Sequence, residues 1–260
     1  MASGGMIAIS LQSGSTGNCI YVEGGGTAVL FDAGISGLQA QKRLEQFGVD
    51  IRRVSAVFIS HDHRDHIACA GVYQRKFGLP VYVTPPTLQA ACRWFRLGKM
   101  PDVRFFRAGQ TVEVGALRIE TIPTPHDGAD GVAFVAARGG KRLGVLTDLG
   151  HVFDGLEAVV RSLDAVFLES NYDPEMLRTG PYPDALKARI AGPRGHISNI
   201  ESAELLARAR TARLKWACLA HLSAENNDPA LALRTHRDIL RAPLPLVAAS
   251  RHEPVGVLEV

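Results

Sequence analysis

Short apolar segments alternate with polar turns along the first third of the chain. The segments MIAISLQ, CIYVEG and TAVLFD are rich in apolar residues that favour strands, and glycines stand at positions 24–26 between the last two. Glycine adopts the positive φ angles of a tight hairpin turn without steric cost. The pattern therefore predicts a β-rich start with a hairpin at residues 24–26.

The remainder of the chain alternates between helical and strand-like patterns. Apolar residues recur at near-helical intervals in residues 38–47, and VSAVFIS at 54–60 is typical of a buried strand. Further predicted strands are RIETIP, RLGVLT, DAVFL and KWACLA, and further predicted helices are DGLEAVVRSL and NIESAELLARARTARL. The C-terminal region predicts one last helix, DPALALRTHRDIL, and one terminal strand. This order of elements indicates an α/β fold.

The composition is that of a globular protein of ordinary enzyme size. The chain has 260 residues, of which 46% are hydrophobic and 21% are charged, and a single domain over residues 1–260 accounts for them. The formal net charge of +3 is too near balance to indicate a polyanionic partner by itself. No stretch approaches the roughly 18 apolar residues of a membrane span, so no membrane partner is expected.

The cysteines indicate neither disulfides nor a thiolate metal site. Cys19, Cys69, Cys92 and Cys218 are isolated, and no CxxC pair occurs. The N-terminal residues lack the basic and long apolar regions of an export signal. We therefore expect a cytoplasmic protein.

The motif HDHRDH directly follows the predicted strand at 54–60. His61 and His63 are two residues apart and can face one metal ion, while Asp65 and His66 can face a second ion nearby. Four donors are too few for two ions, so further ligands are required downstream. His126, Asp148 and His221 each stand at the end of an apolar strand, where side chains from distant positions converge in α/β folds.

The three other downstream histidines do not stand at strand ends. His151, His236 and His252 are therefore interpreted as surface or local structural residues.

This set of residues resembles the metallo-β-lactamase superfamily, whose signature is HxHxDH followed by a separate His, an Asp and a final His. The resemblance runs from LFDAG to LAHLS. It implies an αββα sandwich, with two mixed β-sheets flanked by helices and the metals at one edge. The implied ligands are His61, His63 and His126 for the first ion, Asp65, His66 and His221 for the second, and Asp148 as a bridge.

The resemblance also assigns an early aspartate and a metal type. Asp32 would orient the HxHxDH loop, although a turn-capping role before Gly34 fits the same position. His63 stands where the diiron oxidases of the superfamily carry a carboxylate, so zinc or manganese is favoured over redox iron. Two such ions make hydroxide available near neutral pH, and the expected reaction is hydrolysis.

Glu169 and His196 resemble a pair in the phosphodiesterase branch of the superfamily that includes ribonuclease Z. In that branch the His serves the leaving oxygen and the Glu orients it, so both are candidate catalytic residues. A structural alternative is also open, because residues 198–201 form a capping box for the following helix. The start of that helix would present backbone amides to a phosphate, which makes Ser198 and Asn199 candidate phosphate contacts.

Two further segments are candidates for substrate contact. SGSTGN at 13–18 suits a tight turn or an anion-holding loop, with Ser13, Ser15 and Asn18 as candidate phosphate contacts. Residues 93–107 interleave basic and aromatic side chains, which would suit phosphates and unpaired bases. The favoured interpretation of this second segment is an amphipathic helix and strand whose aromatic side chains lie in the core.

The whole pattern resembles a bacterial branch of the superfamily called YycJ or WalJ. This resemblance implies a cytoplasmic, metal-dependent nuclease, a 5′ to 3′ DNA exonuclease linked to repair. Our hypothesis for its mechanism is that a hydroxide activated by two metal ions attacks phosphorus, that Asp65 orients this nucleophile, and that His196 protonates the departing oxygen. Tyr172 stands where many relatives carry His, and no role is assigned to it. Two alternatives stay open: a hydrolase of small thioesters, lactones or lactams, and a non-catalytic nucleic-acid-binding protein that contains metal.

Overall fold

Two seven-stranded β-sheets face each other across an apolar core. This arrangement comes from a computed structural model, which describes residues 5–260. The strands are β1 Met6–Gln12, β2 Cys19–Gly24, β3 Thr27–Phe31, β4 Ala56–Phe58, β5 Val81–Val83, β6 Val103–Phe105, β7 Thr111–Val114, β8 Leu117–Pro123, β9 Val132–Arg138, β10 Lys141–Leu146, β11 Ala165–Glu169, β12 Trp216–Ala220, β13 Leu246–Ala248 and β14 Val255–Glu259. The α-helices are α1 Gly37–Glu45, α2 Arg64–Ile67, α3 Ala70–Phe77, α4 Pro85–Trp94, α5 Leu156–Arg161, α6 Pro174–Thr179, α7 Asp184–Ile190, α8 Asn199–Ala209 and α9 Pro229–Leu240.

Both sheets combine antiparallel and parallel strand pairs, and the two kinds of pair follow the same order across each sheet. The first sheet has the order β14-β1-β2-β3-β4-β5-β6, and its pairs are antiparallel from β14 to β3 and parallel from β3 to β6. The second sheet has the order β13-β12-β11-β10-β9-β8-β7, antiparallel from β7 to β10 and parallel from β10 to β13. In each sheet the parallel strands therefore end at a common edge.

The helices cover the outer faces of the two sheets. Between the sheets, Phe31, Phe58 and Phe134 pack with ring centroids 4.9 to 6.0 Å apart. A second apolar cluster joins the first sheet to α1, α3 and α4, and a third joins the second sheet to α5, α8 and α9. The four layers confirm the predicted αββα sandwich.

The predicted hairpin forms, but the prediction of a single C-terminal strand was wrong. Gly24 pairs with Thr27, so Gly25 and Gly26 make the turn, with φ angles of 62° and 77°. The C-terminal region forms two strands, β13 on the second sheet and β14 on the first. The residues between them cross from one sheet to the other, a step that local hydrophobic patterning does not record.

The basic and aromatic residues of 93–107 lie partly outside the core. Phe106 is buried, as expected, but Trp94 is 77% exposed and Phe105 is 58% exposed. Phe105 belongs to β6, which is the edge strand of its sheet, so its side chain is covered on fewer sides. The interpretation of these aromatics as core residues was therefore wrong for Trp94 and Phe105.

None of the helices within residues 5–260 has the length and apolar character needed to cross a membrane.

His236 shows how two helices are joined behind the second sheet. It is fully buried on α9, where its Nδ1 donates to the Ala232 carbonyl at 2.8 Å and its Nε2 accepts from the Ser202 hydroxyl of α8 at 3.1 Å. Both ring nitrogens are used by the neutral form. Burial lowers the pKa of His236 to about 4, so this histidine has the structural role expected of it.

The replacement His236→Gln should reduce the loss of stability on acidification. The ordinary pKa of 6.5 falls to about 4 on folding, so between these values the unfolded chain binds a proton that the folded chain excludes. The stabilisation that neutral His236 provides is fully present above pH 6.5. It is lost as pH falls to about 4, which lowers the free energy of unfolding by about 3 kcal/mol. Urea unfolding of metal-free protein over this pH range measures it, with the exposed His252→Gln as control. The prediction would be contradicted if the free energy of unfolding fell equally steeply with decreasing pH in the wild type and in His236→Gln.

Candidate metal centre

The predicted metal ligands converge at one edge of the sandwich because each follows the end of a strand. His61 and His63 follow β4, His126 follows β8, Asp148 follows β10 and His221 follows β12. Asp65 and His66 lie on the short helix α2, which begins directly after His63. Residues separated by up to 160 positions therefore meet at a single place.

His61, His63 and His126 form one group of candidate ligands. One ring nitrogen from each lies within 4.8 Å of those of the other two. His63 Nδ1 lies 3.3 Å from His126 Nε2, which is a normal distance between two donors bound to one ion. The other nitrogen of His126, Nδ1, donates to the Gly195 carbonyl at 2.7 Å, and this bond leaves Nε2 free for a metal.

A second group contains Asp65, His66 and His221, again with one donor atom each within 4.8 Å. Asp65 Oδ2 lies 3.3 Å from His66 Nε2 and 3.3 Å from His221 Nε2. Asp148 lies between the two groups. Its oxygens are 3.4 Å from His66 Nε2 and 3.7 Å from His126 Nε2.

Several donor atoms of these groups have no partner inside the protein. His61 Nε2 and both carboxylate oxygens of Asp148 are buried and have no hydrogen-bond partner among residues 5–260. Burial of an unpaired carboxylate is strongly unfavourable. A divalent cation would satisfy all three atoms, because imidazole nitrogen and carboxylate oxygen are donors that zinc and manganese accept. The residues therefore fit the metal ions that the superfamily implies.

The protonation of these histidines differs across the centre. Burial opposes the charge on His66 and His221, but the carboxylates around them dominate, so the pKa of His66 is raised well above its ordinary value and that of His221 to about 10. Burial, and then the neighbouring histidines, hold the pKa of His61 well below its ordinary value. His61 is therefore ready to bind metal, whereas metal must displace protons at His66 and His221.

Three residues of the centre have a strained backbone. Asp32, Asp148 and His221 have φ angles of 66°, 56° and 55°, in the left-handed region that favours glycine. Each stands at or just beyond the end of a strand, where the chain turns sharply toward the metal edge. Such strain persists only where surrounding contacts over-determine the conformation, and it is concentrated at functional sites.

Asp32 holds the HxHxDH loop from behind. Its Oδ2 accepts from His66 Nδ1 at 2.7 Å, and its Oδ1 accepts from the backbone and the hydroxyl of Ser60 at 2.8 and 2.9 Å. These are the contacts that a residue orienting the loop would make. They fix His66 with its Nε2 turned toward the metal groups.

The loop at residues 13–18 supports the ligands. Asn18 Nδ2 lies 3.1 Å from Asp65 Oδ2 and 3.0 Å from His66 Nε2, and Ser13 Oγ accepts from the backbone N–H of His221 at 2.8 Å. Both side chains are buried and already bonded, so they are not free to contact a phosphate, whereas Ser15 is exposed. The expected phosphate contact is therefore left to Ser15 alone in this loop.

Glu169 and His196 lie together beside the second group of ligands. Glu169 is fully buried at the end of β11, and its Oε1 accepts from His196 Nδ1 at 2.7 Å. Its Oε2 accepts the backbone N–H groups of Leu149 and Ile197 at 3.0 and 3.3 Å. Although burial opposes ionisation, His196 and then His221 hold the pKa of Glu169 well below its ordinary range.

His196 is placed with one nitrogen unused. Its ring lies between His126 and His221, with centroid distances of 4.9 and 5.2 Å. Nδ1 is taken by Glu169, and Nε2 has no hydrogen-bond partner among the residues that the structure describes. Because a carboxylate holds Nδ1, Nε2 is the ring nitrogen left open at the border of the metal groups.

Polar groups at the start of helix α8 form hydrogen bonds within the protein. Ser198 and Glu201 form the predicted capping box, and the backbone N–H of Asn199 donates to the Tyr172 carbonyl at 2.8 Å. The Asn199 side chain is fully buried and bonds with Ser170 and Asn227. Contrary to expectation, the Ser198 and Asn199 side chains and the Asn199 amide are therefore occupied within the protein and are not free for a phosphate.

Comparison with known proteins agrees with this geometry. A family model described as "Beta-lactamase superfamily domain" matches residues 27–221. The chain belongs to the metallo-β-lactamase superfamily. It is 36% identical over 232 residues to exodeoxyribonuclease YycJ of Bacillus anthracis, covering 88% of this chain and 87% of that protein. It is also 36% identical over 227 residues to exodeoxyribonuclease WalJ of Streptococcus pneumoniae, covering 86% and 84%.

A solved structure shows the same fold. The metallo-β-lactamase fold protein YhfI from Bacillus subtilis matches with a TM-score of 0.75 and 18% identity, covering 98% of this chain and 100% of that chain. The predicted superfamily and its YycJ and WalJ branch are thus confirmed. The chain is a hydrolase of the metallo-β-lactamase fold.

Some residues of this metallo-β-lactamase centre were missed by sequence reasoning. Asn171 Nδ2 lies 3.1 Å from His221 Nδ1 and donates to the His221 carbonyl at 2.8 Å. Gly34 must lack a side chain, because a Cβ there would meet the Asp65 carbonyl at 1.6 Å. Asn171 lies two residues beyond Glu169 at the end of β11, a position that could have indicated it.

The replacement Asp148→Asn should weaken metal binding while leaving the fold intact. Asn keeps the shape but removes the charge that the cations balance, so we expect a loss in metal affinity of about 100-fold or more. Metal analysis after equilibration against a chelator measures this loss, and thermal unfolding of the metal-free forms checks the fold. The exposed Asp154→Asn is the control. Retention of wild-type metal affinity by Asp148→Asn would contradict the assignment of Asp148 to the centre.

Proposed function

We propose that the chain is a metal-dependent phosphodiesterase, a DNA exonuclease that acts in the 5′ to 3′ direction with two ions of zinc or manganese. The observation that carries the proposal is the Glu169–His196 pair, joined at 2.7 Å beside the metal ligands. The relatives named exodeoxyribonuclease support the nucleic-acid substrate and favour DNA.

The pair suits a reaction with a poor leaving group. A sugar alkoxide leaving a phosphodiester needs a proton, and a histidine within reach can supply it. Glu169 is fully buried and ionised, and it fixes the His196 ring with Nε2 as the open nitrogen. A thioester releases a stable thiolate, which needs no such donor. The pair therefore favours a phosphodiester over a thioester, and the exodeoxyribonuclease relatives favour it over lactones and lactams.

The ligand residues have the other roles in the proposed reaction, which are to bind the metal ions and to orient the attacking water. When bound, the divalent ions would activate water and stabilise charge on the phosphate. Asp65 contacts both His66 and His221, and its 18% exposed side chain is the ligand carboxylate able to orient the attacking water. His61, His63 and His126 would hold the first ion, Asp65, His66 and His221 would hold the second, and Asp148 would bridge the two.

A cavity beside Asp65 is available for a substrate phosphate. It has a volume of about 380 Å³, and its lining includes Ser15, Thr16, Arg64 and Asp65. Arg64 is exposed and forms no ion pair within residues 5–260, so its guanidinium is free for a phosphate. Ser15 retains its proposed role as a phosphate contact in this cavity.

The purified protein should release mononucleotides from 5′-labelled DNA in the presence of Mn²⁺ or Zn²⁺. A panel of single- and double-stranded DNA and RNA, set against thioester, lactone and β-lactam substrates, measures the preference. The label should appear as mononucleotide from the first time point, and the Asp148→Asn protein should be inactive. Turnover of a thioester or lactam without cleavage of nucleic acid would overturn the proposal, as would binding of DNA without any cleavage.

The replacement His196→Gln should slow cleavage of DNA much more than cleavage of a p-nitrophenyl phosphodiester. Loss of a general acid costs about 10² to 10⁴-fold in rate where the leaving group needs the proton, and little where it does not. Metal content should be unchanged, since His196 is assigned to proton transfer. The exposed His252→Gln provides the matched control. Equal slowing of both substrates would contradict the assignment of His196 as general acid.

A further inference from the structure

Asp127 presents an unpaired carboxylate oxygen to the first group of ligands. It directly follows His126, and its Oδ1 is buried without a hydrogen-bond partner among residues 5–260. This oxygen lies 3.2 Å from His63 Nε2 and 3.4 Å from His126 Nε2. Asp127 has no part in the ligand set described above, yet its carboxylate is directed at two of the residues in that set.

The other oxygen of Asp127 is fixed from outside the centre. Oδ2 accepts from Arg189 Nε at 2.6 Å, and Arg189 lies on α7, 62 residues further along the chain. The backbone N–H of Asp127 donates to the Arg194 carbonyl at 3.0 Å. The carboxylate is therefore held in one orientation, with Oδ1 facing His63.

The two nitrogens of His63 face different partners. Nδ1 lies 3.3 Å from His126 Nε2, on the side where the three ligand histidines meet, and Nε2 lies on the side of Asp127. A neutral imidazole carries its proton on only one nitrogen. A carboxylate near Nε2 favours the proton there and leaves the lone pair of Nδ1 for a metal ion.

We propose that Asp127, held by Arg189, is a positioning residue that sets the tautomer and ring orientation of His63 at the first metal position. Asp32 stands in the same relation to His66 at the second position, where its carboxylate contacts the ring nitrogen that faces away from the metal. Each of the two groups then contains one histidine oriented by a buried or half-buried aspartate. Arg189 has a side chain 57% exposed and extends this chain of contacts to the surface.

The variants Asp127→Asn and Arg189→Ala test the proposal through metal affinity. Loss of a carboxylate partner of a ligand histidine typically costs 10 to 100-fold in metal affinity, and we expect a loss of about this size for Asp127→Asn. Arg189→Ala should cause a smaller loss. Because Arg189 acts through Asp127, it should add little in the Asp127→Asn background. Chelator competition with Zn²⁺ and with Mn²⁺ measures these affinities.

Matched controls lie in the same segments. Asp130→Asn removes an exposed carboxylate of the same loop, and Arg194→Ala removes an exposed charge near Arg189, so both should bind metal as the wild type does. Unchanged thermal unfolding of the metal-free forms excludes a general loss of fold. Wild-type metal affinity in Asp127→Asn would overturn the proposal, and so would a loss from Arg189→Ala that is equally large in both backgrounds.

This test is independent of the proposed nuclease activity. Metal affinity is measured without substrate, so failure of the DNA digestion assay leaves its outcome unaffected. Conversely, a chain that degrades DNA and binds metal equally well with Asn at position 127 would retain the proposed function and lose this inference.

Discussion

The metal edge depends on a carboxylate that the protein buries without giving it a hydrogen bond. Neither oxygen of Asp148 has a hydrogen-bond partner among residues 5–260, and the nitrogens of His66, His126 and His221 surround it at 3.4 to 3.7 Å. Although burial opposes it, the charge of Asp148 and of the other nearby carboxylates raises the pKa of His66 and His221, so these two histidines carry protons in the absence of metal. Divalent cations would replace those protons and satisfy the carboxylate directly.

The rest of the sandwich stabilises this arrangement, which is energetically unfavourable by itself. The two sheets share an apolar core, and their parallel strands end at the edge where the ligands stand. Left-handed backbone at Asp32, Asp148 and His221 turns the chain into the centre at a conformational cost. Contacts from Asn18 and Asn171 hold the ligands from behind. The free energy gained by packing the core thus offsets the backbone strain at the metal edge.

The choice of reaction depends on groups next to the ligands. One fold hosts many hydrolytic reactions, so the fold alone does not identify the substrate. Here a buried, ionised Glu169 holds His196 with one nitrogen open, which favours reactions that require a proton donor. Arg64 lines the cavity beside Asp65 and adds a positive group there. Together these features distinguish this site from a centre that only binds metal.

The sequence alone determined the features that depend on neighbours along the chain. Strand ends marked His61, His126, Asp148 and His221, the glycines at 25–26 marked the hairpin, and Ser198 with Glu201 marked a helix start. Each signal lies within a few residues, because apolar periodicity, turns and caps are local properties of the backbone.

Only the tertiary structure decided the roles that depend on distant partners. Ser13 and Asn199 look like free polar residues in the sequence, but they face inward and bond to segments far along the chain. The contact between Asp127 and Arg189 likewise joins a loop to helix α7, and these two segments share no local pattern. Strand order and register determine which of these residues meet, and hydrophobic periodicity carries no information about that order.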